Sequence, residues 1–260
     1  MGALKSRTRR IRGRVLGAAG GAVIVAVAVT GCADADAEGA VVERKTFAFS
    51  GETLTIEAED TAIELVPADV KAVEVERRVD GWVFMGEGPD PEWTLRDGTL
   101  TLRVKCSAVA SDCEARHSVR VPRGVAVDVR DDNGSVTASG FATALTVRAD
   151  NGTVTVRDSS GPLDLVADNG EITGKRVASR TVTAGSDNGS VELDFAVVPD
   201  LVDGSSANGA ITVEVPGSKA YRVTAVAENG ETSVGVTQDP KSPHIIKAHS
   251  DNGEVVVRAN

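Results

Sequence analysis

Along most of this chain apolar and polar positions alternate with period two, in short runs that meet at a repeated dipeptide. Asn-Gly occurs at Asn133-Gly134, Asn151-Gly152, Asn169-Gly170, Asn188-Gly189, Asn208-Gly209, Asn229-Gly230 and Asn252-Gly253. Successive asparagines lie 18, 18, 19, 20, 21 and 23 residues apart. Six, four and two residues before the turn stand apolar or small residues, as in Leu145/Val147/Ala149 and Leu163/Leu165/Ala167. Three and five residues after it stand others, as in Val154/Val156 and Val191/Leu193. Period-two alternation predicts strands, and a recurring interval near twenty residues predicts a repeat architecture.

The repeat begins before its signature does. Leu54, Ile56 and Ala58 precede Asp60-Thr61, and Ile63 and Leu65 follow at the same offsets. The pattern breaks at residues 81–93, where glycines and prolines are expected to interrupt pairing. It resumes at the strand–Asp97-Gly98–strand unit of Leu95 to Leu102. No amphipathic helical stripe is visible after the N-terminal segment.

Two architectures fit. Asn and Gly tolerate positive φ, and Asn-Gly is the strongest short hairpin signal, so serial hairpins in a β-sandwich are one possibility. The favoured reading is a parallel β-solenoid, β-helix-like, with coils of about 18–23 residues. Like residues at like offsets then stack in columns, and the extra residues of later repeats fall between strands.

The N-terminus changes the picture. Lys5, Arg7, Arg9, Arg10, Arg12 and Arg14 precede an apolar, small-residue run from Val15 to Val29, which reads as an export signal. Val29-Thr30-Gly31-Cys32 resembles a lipobox, with Cys32 as the lipid-anchor residue. The expected division is residues 1–31 as signal peptide, 32–42 as tether and 43–260 as a single domain. The apolar run is short for a membrane span. The 260-residue chain carries net charge −10, and losing the six leader cations leaves −16. Such acidity repels phosphate backbones, so no nucleic-acid partner is expected. With Cys32 lipidated, Cys106 and Cys113 remain as an even pair in an exported chain, and a disulfide between them is expected.

Chemistry is sparse. No G-x-S-x-G, H-E-x-x-H or P-loop motif is present. His117, His244 and His249 have no recognisable partners in sequence and read as surface residues. Asp132, Asp150, Asp168, Asp187, Glu228 and Asp251 each precede an Asn-Gly and would form an acidic column. Hydrated carboxylates bonded to the turn backbone are the preferred account of it, with calcium as the alternative. No metal or cofactor is therefore assigned. Trp82, Phe84 and Trp93 are three of eight aromatics and crowd the one irregular insertion. They either cap the end of the stack or await a glycan or protein partner.

Val121-Pro122-Arg123-Gly124 leading to Asn133-Gly134, followed by serial Asn-Gly-x-Val/Ile units, resembles the bacterial β-strand-repeat domains known as "putative adhesins", over roughly residues 45–260. The resemblance implies a parallel β-helix-like solenoid displayed outside the cytoplasmic membrane, and no catalytic residues come with it. This chain departs at Ala207, where the acid before Asn-Gly is missing, and in its local cysteine pair. The expectation is a membrane-anchored, extracytoplasmic lipoprotein and non-catalytic interaction module, facing a cell-envelope protein or glycan. The rivals are a polysaccharide-acting β-helix enzyme and a cation-binding surface protein.

Overall fold

The computed structural model describes residues 40–260, without the side chains of Ala108, Ala110 and Ser111. The expected signal peptide, Cys32 and most of the tether lie outside the described residues. The described chain is all-β and helix-free. Its first five strands are β1 (Glu43–Phe47), β2 (Thr53–Glu59), β3 (Ala62–Ala68), β4 (Val73–Arg96) and β5 (Thr99–Pro122). Seven pairs follow, each split by an Asn-Gly corner. They are β6 (Ala126–Asn133) and β7 (Val136–Ser139), β8 (Leu145–Asn151) and β9 (Val154–Arg157), and β10 (Leu163–Asn169) and β11 (Ile172–Val177). After these come β12 (Thr181–Ser186) and β13 (Val191–Phe195), and β14 (Leu201–Asn208) and β15 (Ile211–Val215). The last are β16 (Arg222–Asn229) and β17 (Thr232–Gly235), and β18 (Ile245–Asn252) and β19 (Val255–Ala259).

The two strands of a repeat do not pair with each other. Each pairs in parallel with its counterpart one repeat away, so Leu163, Leu165 and Ala167 of β10 lie beside Leu145, Val147 and Ala149 of β8. Likewise Ile172 lies beside Val154 in the other column. The Asn-Gly corner therefore closes no hairpin, and the expected alternative of serial hairpins fails. Most inward positions are apolar because they fill one core shared by both columns: Leu145, Val147, Leu165, Ile172 and Leu193 are all 0% exposed. Each such side chain contributes roughly 1.5–3 kcal/mol of burial.

The sheet is mixed, not wholly parallel. β4 runs antiparallel to both β1 and β5. One part of β5, Thr99–Arg103, lies beside β2, and a later part, Arg116–Pro122, lies beside β3. β5 thus forms a coil by itself, and β4 and β1 cover its outer edge. The stack also departs from chain order at both ends. The β2/β3 coil sits between β5 and β6/β7, and the last coil, β18/β19, sits between β14/β15 and β16/β17.

The glycines of the corners are explained by contact, not by dihedral angle. None of the seven Asn-Gly pairs has a positive φ, contrary to the turn geometry expected from sequence. A Cβ at Gly152 would stand 1.5 Å from Gly134 O, and one at Gly170 would stand 1.9 Å from Gly152 O. Each corner backbone lies directly on the one before it, and only hydrogen fits between them. The asparagines use the same stacking. Asn151 Nδ2 donates to Asn133 Oδ1 (3.1 Å), Asn169 to Asn151 (3.1 Å), Asn188 to Asn169 (3.0 Å) and Asn208 to Asn188 (3.0 Å). The ladder continues from Asn252 to Asn208 and from Asn229 to Asn252, and Asn133 donates at its foot to Asp60 Oδ1 (3.2 Å). All the amides point the same way, an arrangement in which each bond polarises the next.

Candidate interaction surface

The stretch expected to interrupt pairing does the opposite. β4 stays paired with β5 through it, with Trp82 opposite Asp112, Phe84 opposite Ala110 and Gly86 opposite Ala108, across one register shift between Glu87 and Asp90. Cys106 and Cys113 are disulfide-bonded, with Cα atoms 6.6 Å apart across seven residues of β5. An extended strand would separate them by roughly 23 Å. The β4/β5 ribbon therefore leaves the stack and returns, and the disulfide ties its base. Two glycines of β4 make room for that tie. A Cβ at Gly81 would meet Cys113 Cα at 2.8 Å, and one at Gly88 would meet Cys106 Cα at 3.1 Å.

The structure separates the three aromatics that the sequence grouped. Trp93 lies at the root, its ring 6.5 Å from that of Phe47 in an edge-on contact and 4.0 Å from the Arg77 guanidinium. Arg77 is held there by Glu43 (2.6 Å) and by Pro91 O (3.2 Å). Trp93 packs against the core, so it belongs to the cap. Trp82 and Phe84 lie on the ribbon beyond it, 48% and 58% exposed, with Met85 at 73% and Val109 at 78%. Met85 and Val109 were not singled out from sequence, since single aliphatic residues in a strand carry no signal until pairing sets them on one arm.

Of the histidines expected at the surface, His249 is exposed, His244 is partly buried and His117 is not at the surface. His117 is fully buried, its Nδ1 2.7 Å from Thr61 Oγ1, and burial together with nearby Arg77 holds its pKa down at about 4. His244 Nδ1 lies 2.9 Å from Pro199 O. His249 Nε2 lies 2.9 Å from Asp251 Oδ1 and 3.9 Å from Glu228 Oε1. One ligand atom from each of these three falls within 4.8 Å of the others, a donor set able to hold a divalent ion. All three side chains are about half exposed, and the imidazole is already bonded to Asp251.

Asp131 escaped the sequence reading although a signal was present. It occupies the inward position two residues before the asparagine, where the other six Asn-Gly coils have Ala or Ser. Register places it between Ala58 and Ala149. It is 1% exposed, and neither carboxyl oxygen has a hydrogen-bond partner among the described residues. Burial, then the carboxylates of Asp132, Asp60 and Asp150, push its pKa up to about 7.

No family model matches this sequence, and no curated protein matches it. Solved structures do. A "putative adhesin" from Bacteroides fragilis is 12% identical, covering 85% of this chain and 97% of its own, with a TM-score of 0.46. One from Parabacteroides distasonis is 11% identical, covering 84% and 98%, at 0.42. A "putative cell adhesion protein" from Clostridium sporogenes is 12% identical, covering 85% and 100%, at 0.38. Their names agree with the resemblance read from the Asn-Gly repeats. At these identities and TM-scores the likeness carries no argument about function.

Proposed function

We propose that this protein is a non-catalytic, adhesin-like interaction module, lipid-anchored at Cys32 and displayed outside the cytoplasmic membrane. Its repeat region is a parallel β-solenoid that acts as a stiff support, and the disulfide-tied β4/β5 arm is the recognition element. One observation carries this reading: Trp82, Phe84, Met85 and Val109 are exposed together on a ribbon braced by Cys106–Cys113. A covalent brace and continuous backbone pairing lower the entropy lost when such side chains dock. Tryptophan supplies much contact area with few rotors. Glu87 and Asp90 on the same ribbon favour a neutral glycan or a basic protein surface over an anionic one.

The test is a photo-crosslinker placed at Phe84 in intact cells, with Trp82→Ala as the matched control. One crosslinked cell-envelope partner, reduced at least tenfold by Trp82→Ala, is expected. Crosslinking that Trp82→Ala leaves unchanged would remove the arm from recognition.

A further inference from the structure

The two ends of the stack are finished differently. At one end the outer strand is β1, which opens with Glu43, Arg44 and Lys45. Charged side chains on an edge strand discourage pairing with another chain. At the other end the outer strand is β16, Arg-Val-Thr-Ala-Val-Ala-Glu-Asn, which has no lysine, proline or bulge. Among the described residues it pairs only with β18. The inward residues Val223, Ala225 and Ala227 are only partly buried, whereas Ile246, Ala248 and Ser250 beside them on β18 are essentially inaccessible. Val226 is 42% exposed.

Hydrogen bonding shows which backbone groups are free. Arg222 N–H donates to His244 O, on the β18 side. Strand geometry then sends the N–H and C=O of the odd-numbered residues to the open side. Tyr221 confirms the sense, since its N–H and C=O bond Thr237 and Asp239 there instead. Ala227 N–H on that side is held by Thr232 Oγ1 (3.1 Å). The open edge is therefore short. The Thr237–Asp239 segment bounds it at Tyr221, and the Asn229-Gly230 corner bounds it at the other end.

We infer that this edge is a homodimer interface in which β16 of two copies pair antiparallel about a two-fold axis at Ala225. In that register Ala225 exchanges both backbone bonds with its symmetry mate, and the Val223 N–H donates to the Ala227 carbonyl of the second copy, the Ala227 N–H staying with Thr232 Oγ1. Arg222 then faces Glu228 of the second copy, twice over, and Thr224 faces Val226. These are the strand's only charged side chains, and opposite charges across a strand pair stabilise it. Sliding by two residues in either direction separates them. A second copy also fits the bounded window, because its own chain turns away at Asn229-Gly230 where the first copy's Tyr221 edge is occupied. Open stacking of heads on tails is opposed by the charged β1 edge, so the contact closes as a two-fold dimer.

The experiment is sedimentation of the full chain in a mild detergent, with circular dichroism as the folding control. The wild type is expected to be dimeric at tens of micromolar. Ala225→Pro removes only an N–H that points away from β18, so it should give a folded monomer. Arg222→Glu should weaken the dimer about tenfold or more, and Arg222→Glu with Glu228→Arg should restore it. Oxidised Ala225→Cys should yield a covalent dimer, since opposed residues of a bonded antiparallel pair have Cα atoms about 5.5 Å apart. A monomeric wild type, or a dimer indifferent to both Ala225→Pro and the charge exchange, would overturn the proposal.

Discussion

Replacing Asp131 by serine should stabilise the protein at alkaline pH, because it exchanges a buried ionisable acceptor for a neutral hydroxyl able to donate. In the same inward column Ser186, Ser206 and Ser250 donate to the corner carbonyls of Gly170, Gly189 and Gly209, at 2.9, 2.9 and 2.8 Å. The corresponding carbonyl below Asp131 is that of Thr61, which lies under Gly134. An ionised carboxylate can only accept hydrogen bonds, so it gains nothing from a carbonyl, whereas a protonated acid or a serine can donate to it. The folded-state pKa is raised from 3.8 to about 7. Below 3.8 Asp131 is protonated in both the folded and unfolded states. As pH rises from there, the unfolded chain loses its proton first, and stability falls until the folded group ionises near 7. At about 1.4 kcal/mol for each pH unit the loss has a ceiling of about 4 kcal/mol. Relaxation and water entry reduce it, so a gain of about 1–4 kcal/mol is expected for Asp131→Ser at pH 8. Urea unfolding of both proteins at pH 4 and pH 8 measures it. His117 titrates on the acid side, with its folded pKa lowered from 6.5 to about 4, and it largely cancels in the difference between the two proteins. An equal gain at both pH values would assign the effect to packing, and a loss at pH 8 would refute the electrostatic reasoning.

The remaining predictions concern single positions. Gly170→Ala should cost more than about 3 kcal/mol in urea unfolding, because its Cβ would stand 1.9 Å from Gly152 O; a variant of near-native stability would disprove the close stacking of corners. Trp93→Ala should lower stability by about 2 kcal/mol and Trp82→Ala by less than about 0.5 kcal/mol. Equal costs in thermal melts would contradict the division between cap and exposed arm. Cys32→Ala should release the protein from membranes or leave its precursor uncut; intact mass and detergent partitioning report this, and an unlipidated wild-type mature form would exclude the anchor.

Much of the fold was legible because a stacked repeat writes its contacts into a fixed interval. The inward residues two apart, the corners and the extent of the repeat could all be placed from residues 53–65 and 126–257. Other features were misread for identifiable reasons. Asn-Gly suggested a hairpin because local dihedral preference is the usual cause of that dipeptide, and the real constraint comes from a carbonyl some eighteen residues distant. Residues 81–93 looked like a pairing break because Gly and Pro are poor strand formers. Gly81 and Gly88 instead make room for Cys113 and Cys106. Two of the histidines looked solitary because their partners, Thr61 for His117 and Pro199 for His244, lie 56 and 45 positions away.

By itself the sequence determined the all-β class, the coil length, the inward columns and the pairing of two cysteines, since alternation and spacing are local properties of the chain. Tertiary structure decided the order of the coils, the antiparallel cover at one end and the bare β16 edge at the other. It also decided which aromatics are buried. Trp82 and Trp93 have equal hydrophobicity, and the Phe47 ring, the Arg77 guanidinium and Lys45 partly bury Trp93 against the core. Coil order is invisible to periodicity because interchanging two coils leaves every residue at the same offset. What differs is the neighbour above and below, and that is settled by which exchange buries the most apolar surface and pairs the most backbone.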